Sequence, residues 1–218
     1  TNSGSSALLL AVQALNLPKG SKVIVCAAGF PATVAPILHA GLIPVFVDAE
    51  IKTGNIDLDQ IENSITSKTK GISIVHFLGM PVNMPQLMQI AKKHNLFVVE
   101  DCALAIGTYF DGLHAGLYGD IGCFSFYPVK HFTTAEGGMC ITKHHDVAQK
   151  LARQRALGVD RTVQERTIPG VYDVTMLGFN YRMNEIGAAI GIEQLKRAQG
   201  FLDSRKKNYE YLRFSDFA

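Results

Sequence analysis

The stretch that decides the fold is Leu96-Phe97-Val98-Val99-Glu100-Asp101. It opens on an uninterrupted apolar run, rich in valine and too short for a helix. Apolar residues at consecutive rather than alternate positions mark a strand covered on both faces, as in a parallel sheet. Upstream lie a helical pattern from about Pro85 to His94 and the apolar run Gly71 to Phe77. Asp57 reads as an N-cap with Gln60 three residues on, opening a short helix to Ile65. Pro44-Val45-Phe46-Val47-Asp48, a helix around Ala32 to His39, and Val23-Ile24-Val25-Cys26 continue the alternation. Short strands separated by amphipathic helices form right-handed βαβ units. The predicted class is α/β, a mostly parallel sheet flanked by helices.

Downstream, Cys123 to Tyr127 and Gly138 to Thr142 read as two strands joined by a polar loop. Helices follow at His145 to Leu157 and, after an irregular stretch through Tyr172, over residues 184–212. The second is expected as one long helix leading out of the domain, with Ile186, Ile190, Leu195, Leu202 and Leu212 on or near one side. Thr1-Asn2-Ser3-Gly4 already reads as a turn entering a helix, and the chain closes after a helix with no further strand. A longer parent chain is expected.

Of the 218 residues 47% are hydrophobic and 18% charged, enough for a large core in one domain and against wholesale disorder. Lysines and arginines are scattered, and the net charge of +2 gives no footprint for nucleic acid or an anionic membrane. No apolar stretch reaches the roughly 18 residues of a membrane span, and no leader pattern is visible. Cys26, Cys102, Cys123 and Cys140 lie far apart, each in or beside an apolar run. Reduced, buried thiols of a cytoplasmic protein fit this better than a disulfide framework or zinc site. His144-His145 lacks acidic or thiol partners at ligand spacing, so no metal site is expected. Arg153-Gln154-Arg155 and Arg205-Lys206-Lys207 read as solvated helix faces.

In open α/β sheets ligands collect at the carboxyl ends of strands. Asp101 stands there: it either keeps a pyridinium nitrogen protonated, which lets the ring accept electrons, or caps the loop. Ser125-Phe126-Tyr127-Pro128-Val129-Lys130-His131-Phe132-Thr133-Thr134-Ala135-Glu136-Gly137-Gly138 then follows. A lone loop lysine is usually a solvated charge. Lys130 instead sits between a proline turn and a Gly-Gly pair that lets backbone approach a ligand, and a lysine held so can attack an aldehyde as a neutral amine. Ser125 offers a hydroxyl to a phosphate. Gly4-Ser5-Ser6-Ala7-Leu8 opens a helix whose free N–H groups attract an anion, or else is a plain serine cap. Phe30 either lies on a heterocycle or joins the core.

The order of these elements resembles the DegT/DnrJ/EryC1/StrS family of pyridoxal-phosphate (PLP)-dependent sugar aminotransferases. The resemblance covers essentially the whole chain. It is carried by Gly4-Ser5-Ser6-Ala7-Leu8, Pro44 to Asp48, Glu100-Asp101-Cys102-Ala103, Gly119-Asp120-Ile121-Gly122-Cys123-Phe124-Ser125-Phe126, Lys130, Glu136-Gly137-Gly138 and Asn180-Tyr181-Arg182-Met183-Asn184-Glu185. It implies that residues 1–218 are a PLP-binding large domain of aspartate aminotransferase-like fold. Lys130 would be the Schiff-base lysine and proton carrier, Asp101 the partner of the pyridine nitrogen, and Phe30 the stacking ring. Gly4, Ser5 and Ser125 would hold the phosphate, and Asn180 would reach the phosphate of a neighbouring subunit in a homodimer. Arg182 looks more like support for that loop. The implied reaction moves an amino group from an amino-acid donor, glutamate in this family, to a nucleotide-linked keto-sugar in amino-sugar or surface-polysaccharide biosynthesis.

Three departures stand out. Leu104 occupies a position where many members carry His or Gln against the ring hydroxyl. The family's additional chain before the Gly4 turn and its small C-terminal domain are both expected to be missing. Two alternatives share the fold: a sugar dehydratase, which typically has His in place of the Schiff-base lysine, and a non-catalytic relative. Lys130 is present and His131 is one position late for the dehydratase pattern.

Overall fold

The computed structural model describes residues 1–160, 167, 168 and 170–214. In chain order the elements are α1 (Gly4–Ala14), β1 (Lys22–Cys26), α2 (Pro31–His39), β2 (Ile43–Val47), α3 (Leu58–Ser64), β3 (Thr69–Val75), α4 (Met84–His94) and β4 (Phe97–Asp101). They continue with β5 (Tyr109–Phe110), β6 (Leu113–His114), β7 (Ile121–Ser125), β8 (Gly138–Ile141), α5 (His145–Gln154), α6 (Glu185–Lys196) and α7 (Ala198–Phe214). The main sheet runs β2-β1-β3-β4-β7-β8. Its pairs are parallel from β2 through β7, and β8 closes the edge antiparallel. The α/β class with a mostly parallel sheet is therefore what the chain adopts.

Both faces of the sheet are covered, which explains the continuous apolar runs. Along β4, Val98 packs with Ile24, Ile72 and Ile74 against Ile61 of α3 and Met84, Leu87 and Ala91 of α4. Val99 points the other way and joins Ile121 and Cys123 against α1 and Val147 and Leu151 of α5. Each fully buried Leu or Ile contributes roughly 1.5–3 kcal/mol, so these two layers hold the sheet in place. The period-2 alternation carries past the apolar residues: Glu100 and Asp101, both buried, inherit opposite faces.

Three boundaries differ from expectation. The run expected to extend to Phe77 stops at Val75, because residues 77–79 form a tight helical turn with Leu78 at φ 50° and Gly79 at φ 84°. The helix expected to reach Leu157 ends at Gln154, and Leu157 and Gly158 turn left-handed at φ 69° and 72°. The single helix expected over 184–212 is two, α6 and α7, separated at Arg197, whose N–H donates to the Gln194 carbonyl in a tighter turn. Asp57 does cap α3, accepting from the Asp59 N–H, while the Gln60 amide donates to the Asp57 side chain. A small antiparallel hairpin, β5–β6, turns at Asp111-Gly112 with both residues at positive φ. Among the described residues no helix is long and apolar enough to cross a membrane.

Candidate active site

The carboxyl edge of the sheet gathers the residues with chemistry. There α1 begins, capped by Ser3. The Ser3 hydroxyl accepts from the Ser6 N–H at 3.1 Å, and the Ser6 hydroxyl accepts from the Ser3 N–H at 3.1 Å. Capping therefore falls to Ser3 and leaves exposed Ser5 free of that duty. The N–H groups of Gly4 and Ser5 open the helix and have no intrahelical acceptor. A side chain at Gly4 would stand 2.6 Å from Cβ and 3.0 Å from Oγ of Ser125. Glycine is what lets the helix start press against the end of β7. The Gly138 N–H donates to the Thr1 carbonyl at 3.0 Å, so the segment entering α1 is tied to β8 as well.

Asp101 ends β4 at 5% exposure. Its Oδ2 accepts from the Thr33 hydroxyl at 2.7 Å and its Oδ1 from the Ala103 N–H at 3.0 Å. Burial pushes the Asp101 carboxyl above its ordinary range; the Thr33 hydroxyl, the Ala103 N–H and the charge of Lys130 pull it back. Lys130 lies half-buried in the loop after β7, close enough to Asp101 for its charge to be felt there. The base of that loop is cinched by the Phe126 carbonyl, which accepts from the Thr134 N–H at 3.0 Å and the Thr133 hydroxyl at 2.8 Å.

Phe30 precedes Pro31, which forces an extended backbone at residue 30 (ψ 143°) and supplies a ready first residue for α2. Its ring is 74% exposed, so the core reading of this phenylalanine is excluded. Asn180 belongs to a segment strapped along the end of α5: it bridges Ala156, and the next residue's N–H donates to the Arg155 carbonyl at 3.0 Å. The Tyr181 carbonyl accepts from the Asn2 N–H at 2.8 Å, which brings this strap to the entrance of α1. The Asn180 side chain is exposed and its Oδ1 accepts from the Arg182 N–H at 3.4 Å. Gly4 thus meets Ser125, Asp101 ends the neighbouring strand, Lys130 sits in the loop that follows Ser125, Phe30 is joined to Asp101 through the segment that carries Thr33, and Asn180 stands at the periphery.

Two partners escaped the sequence reading. Thr33 is one. The other is the pair behind the site, Glu100 and His76, both without solvent exposure. Glu100 accepts from the Gly116 N–H at 2.8 Å, the Gly119 N–H at 2.6 Å and His76 Nε2 at 3.0 Å. His76 Nδ1 accepts from the Val82 N–H at 3.2 Å, which assigns the ring proton to Nε2. With Cys102 these residues bring three metal-capable atoms within 4.8 Å of one another, but His76 Nδ1 already accepts a hydrogen bond and the Glu100 carboxylate accepts from His76, Gly116 and Gly119. Leu104 is half-buried, and its carbonyl would stand 2.7 Å from a side chain at Gly79.

Comparison with known proteins places this geometry. The model of the DegT/DnrJ/EryC1/StrS aminotransferase family matches residues 1–215. The lipopolysaccharide biosynthesis protein RfbH of Salmonella typhimurium is 42% identical over 98% of this chain and 55% of its own length. The sugar aminotransferase CalS13 of Micromonospora echinospora superposes with a TM-score of 0.89 at 32% identity, over 99% of this chain and 61% of that one. The GDP-4-keto-6-deoxy-D-mannose-3-dehydratase of E. coli, solved with hydrated PLP, superposes at 0.85 with 33% identity, over 96% of this chain and 58% of that one. The chain spans about half the length of the curated relatives it matches.

Proposed function

Because the chain belongs to the DegT/DnrJ/EryC1/StrS aminotransferase family, we propose that it is the cofactor-binding large domain of a PLP-dependent aminotransferase acting on a nucleotide-linked keto-sugar. The observation that carries this reading is the buried carboxylate of Asp101, held by Thr33 and the Ala103 N–H at the same sheet edge as the glycine-built junction of α1 and β7. The residues fit the cofactor. The Gly4–Ser125 junction offers N–H and hydroxyl donors to a phosphate, Phe30 offers an uncovered aromatic face, and Asp101 offers an anionic oxygen to a ring nitrogen. When bound, PLP supplies an electrophilic carbon and a ring that accepts electrons.

The chain's own contribution then divides cleanly. Gly4, Ser5 and Ser125 would hold the phosphate, and the exposed face of Phe30 would border the ring and exclude water from one side. Asp101 keeps the ring nitrogen protonated, and its burial strengthens that attraction. Lys130 would hold the cofactor through its Nζ and, once that amine is free again, would carry a proton to and from the reacting carbon. Glutamate serves as the amino donor in this reading. Asn180 reaches the phosphate of a second copy, so the working unit is a cytoplasmic homodimer.

A dehydratase is the second reading, favoured by the E. coli dehydratase among the structural relatives. Lys130 argues against it, since the dehydratases of this family typically carry His there; His131 lies one position further on, in the field of Arg205. The deciding experiment is incubation with PLP, borohydride reduction and peptide mapping. A pyridoxyl group on Lys130 is expected. Its appearance on Lys143 or another lysine sinks the assignment, and loss of a sugar hydroxyl without amine gain in the product establishes the dehydratase.

A further inference from the structure

Thr33 has no role in the reading so far, yet it is the side chain that touches Asp101. It is 4% exposed and stands in the first turn of α2, three residues after Phe30. Its hydroxyl reaches across 68 positions of sequence to the carboxylate at the end of β4. We propose that Thr33 is the positioning residue of this site, whose hydroxyl fixes the rotation of the Asp101 carboxylate and keeps it anionic. The assignment rests on the reading of Asp101 as the carboxylate that faces the cofactor's ring nitrogen.

The hydrogen-bond count supports it. A carboxylate has about four acceptor positions. At Asp101 one on each oxygen is taken, by Thr33 and by the Ala103 N–H. Both donors point at the ionised form, and they leave one position per oxygen for a cationic N–H. Remove the Thr33 hydroxyl and Oδ2 loses its donor in a site nearly closed to water, so protonation becomes easier. A protonated Asp101 no longer attracts a ring N–H⁺. The other groups that bear on this carboxylate are Lys130, which opposes its protonation, the imidazole of His76, and the buried thiols Cys102 and Cys123. None of them contacts Oδ2 by a hydrogen bond among the described residues.

The segment makes the assignment more specific. Phe30-Pro31-Ala32-Thr33 is one rigid connection, with the Thr33 N–H donating to the Phe30 carbonyl at 3.0 Å and Pro31 fixing the backbone between them. One short stretch therefore sets both the exposed aromatic face and the orientation of the buried acid. A shift of α2 would move the two together.

The test compares Thr33→Val, which keeps the shape and removes the hydroxyl, with Thr33→Ser, which keeps the hydroxyl. The first readout needs no cofactor: titration of the Asp101 side-chain carbon by 13C NMR. Thr33→Val is expected to raise its proton affinity roughly tenfold or more, with Thr33→Ser close to wild type. The second readout is the half-reaction of the PLP-loaded full chain with the amino donor. There kcat should fall roughly 10- to 100-fold in Thr33→Val with little change in KM, and Thr33→Ser should restore it. An unchanged Asp101 titration in Thr33→Val overturns the proposal, as does equal impairment of the two variants, which would mean packing alone. If Thr33→Val does not fold, Thr33→Ala takes its place with the same expectations. Should wild type fail to trap PLP on Lys130, the functional reading falls and the titration alone decides Thr33: a shift upholds it and no shift overturns it.

Discussion

Replacing Gly4 by alanine sets two opposing effects against each other. Alanine is the better helix former by about 1 kcal/mol at most, so an isolated α1 would gain. Against this, the new Cβ would sit 2.6 Å from Ser125 Cβ and 3.2 Å from its Cα. Carbon atoms rest at about 3.5–4.0 Å, so the helix start must retreat by about 1 Å. Neither side yields easily, because Ser125 ends a fully buried strand and α1 is buried along most of its length. Overpacking of this kind costs about 1–3 kcal/mol, and the clash wins. Net destabilisation of about 1–2 kcal/mol is expected, a fall in Tm of roughly 2–8 °C for a chain of this size. The larger effect falls on the anion site. Retreat of the first N–H groups weakens charge-assisted hydrogen bonds, each contributing about 1.5–3 kcal/mol, so PLP affinity should drop roughly 10- to 100-fold. Spectrophotometric titration with PLP and urea unfolding, run side by side, separate the two losses. Adding Ser125→Gly removes the offending Cβ and should recover stability but not affinity, since the hydroxyl goes with it. A Gly4→Ala chain that binds PLP as wild type does would refute the cradle.

Asp101→Asn should retain PLP while proton abstraction slows by several orders of magnitude; near-normal turnover would place the electron sink elsewhere. The same variant tests the raised carboxyl without cofactor. The folded-state pKa exceeds the unfolded one, so between the two the folded state holds more protons and wild-type stability falls as pH rises through that window. Asn lacks this slope, so wild-type stability relative to Asn, followed by urea unfolding across pH, should rise as pH drops toward the ordinary carboxylate range near 3.9; a pH-independent difference refutes the shift. For the homodimer, mixing Lys130→Ala with Asn180→Ala chains should regenerate one complete site per mixed dimer, and activity no greater than the sum of the separate variants would show that Asn180 serves its own chain.

Much of this site was legible because its residues occupy strand ends, and strand ends are marked in the sequence by where an apolar run stops. Val98-Val99 followed by Glu100-Asp101 located the carboxyl edge, and the Pro128 turn with the Gly137-Gly138 pair located the lysine loop. Thr33 was not legible: a threonine in an apolar helix carries no local sign that its partner lies in β4. The Glu100–His76 pair was hidden for the same reason, since only the parallel register that sets Ile74 beside Glu100 brings the end of β3 to it. The β5–β6 hairpin differs, because Asp111-Gly112 is a plain turn signal and was passed over. The division of α6 from α7 at Arg197 has no marker, as neither proline nor glycine stands at the break.

The tie between Thr1 and Gly138 spans nearly two thirds of the chain. During synthesis α1 is made well before the surfaces that receive it, the ends of β7 and β8. Until then only the side of α1 around Val12 is covered, by Val23, Val25 and Ile37, and the side that meets Ile121, Cys123, Val147 and Leu151 is open. Contacts of such separation close late, so the cradle is among the last parts of the molecule to form. A chain in which α1 has not met β7 lacks the Gly4–Ser125 junction, and with it the phosphate site proposed there.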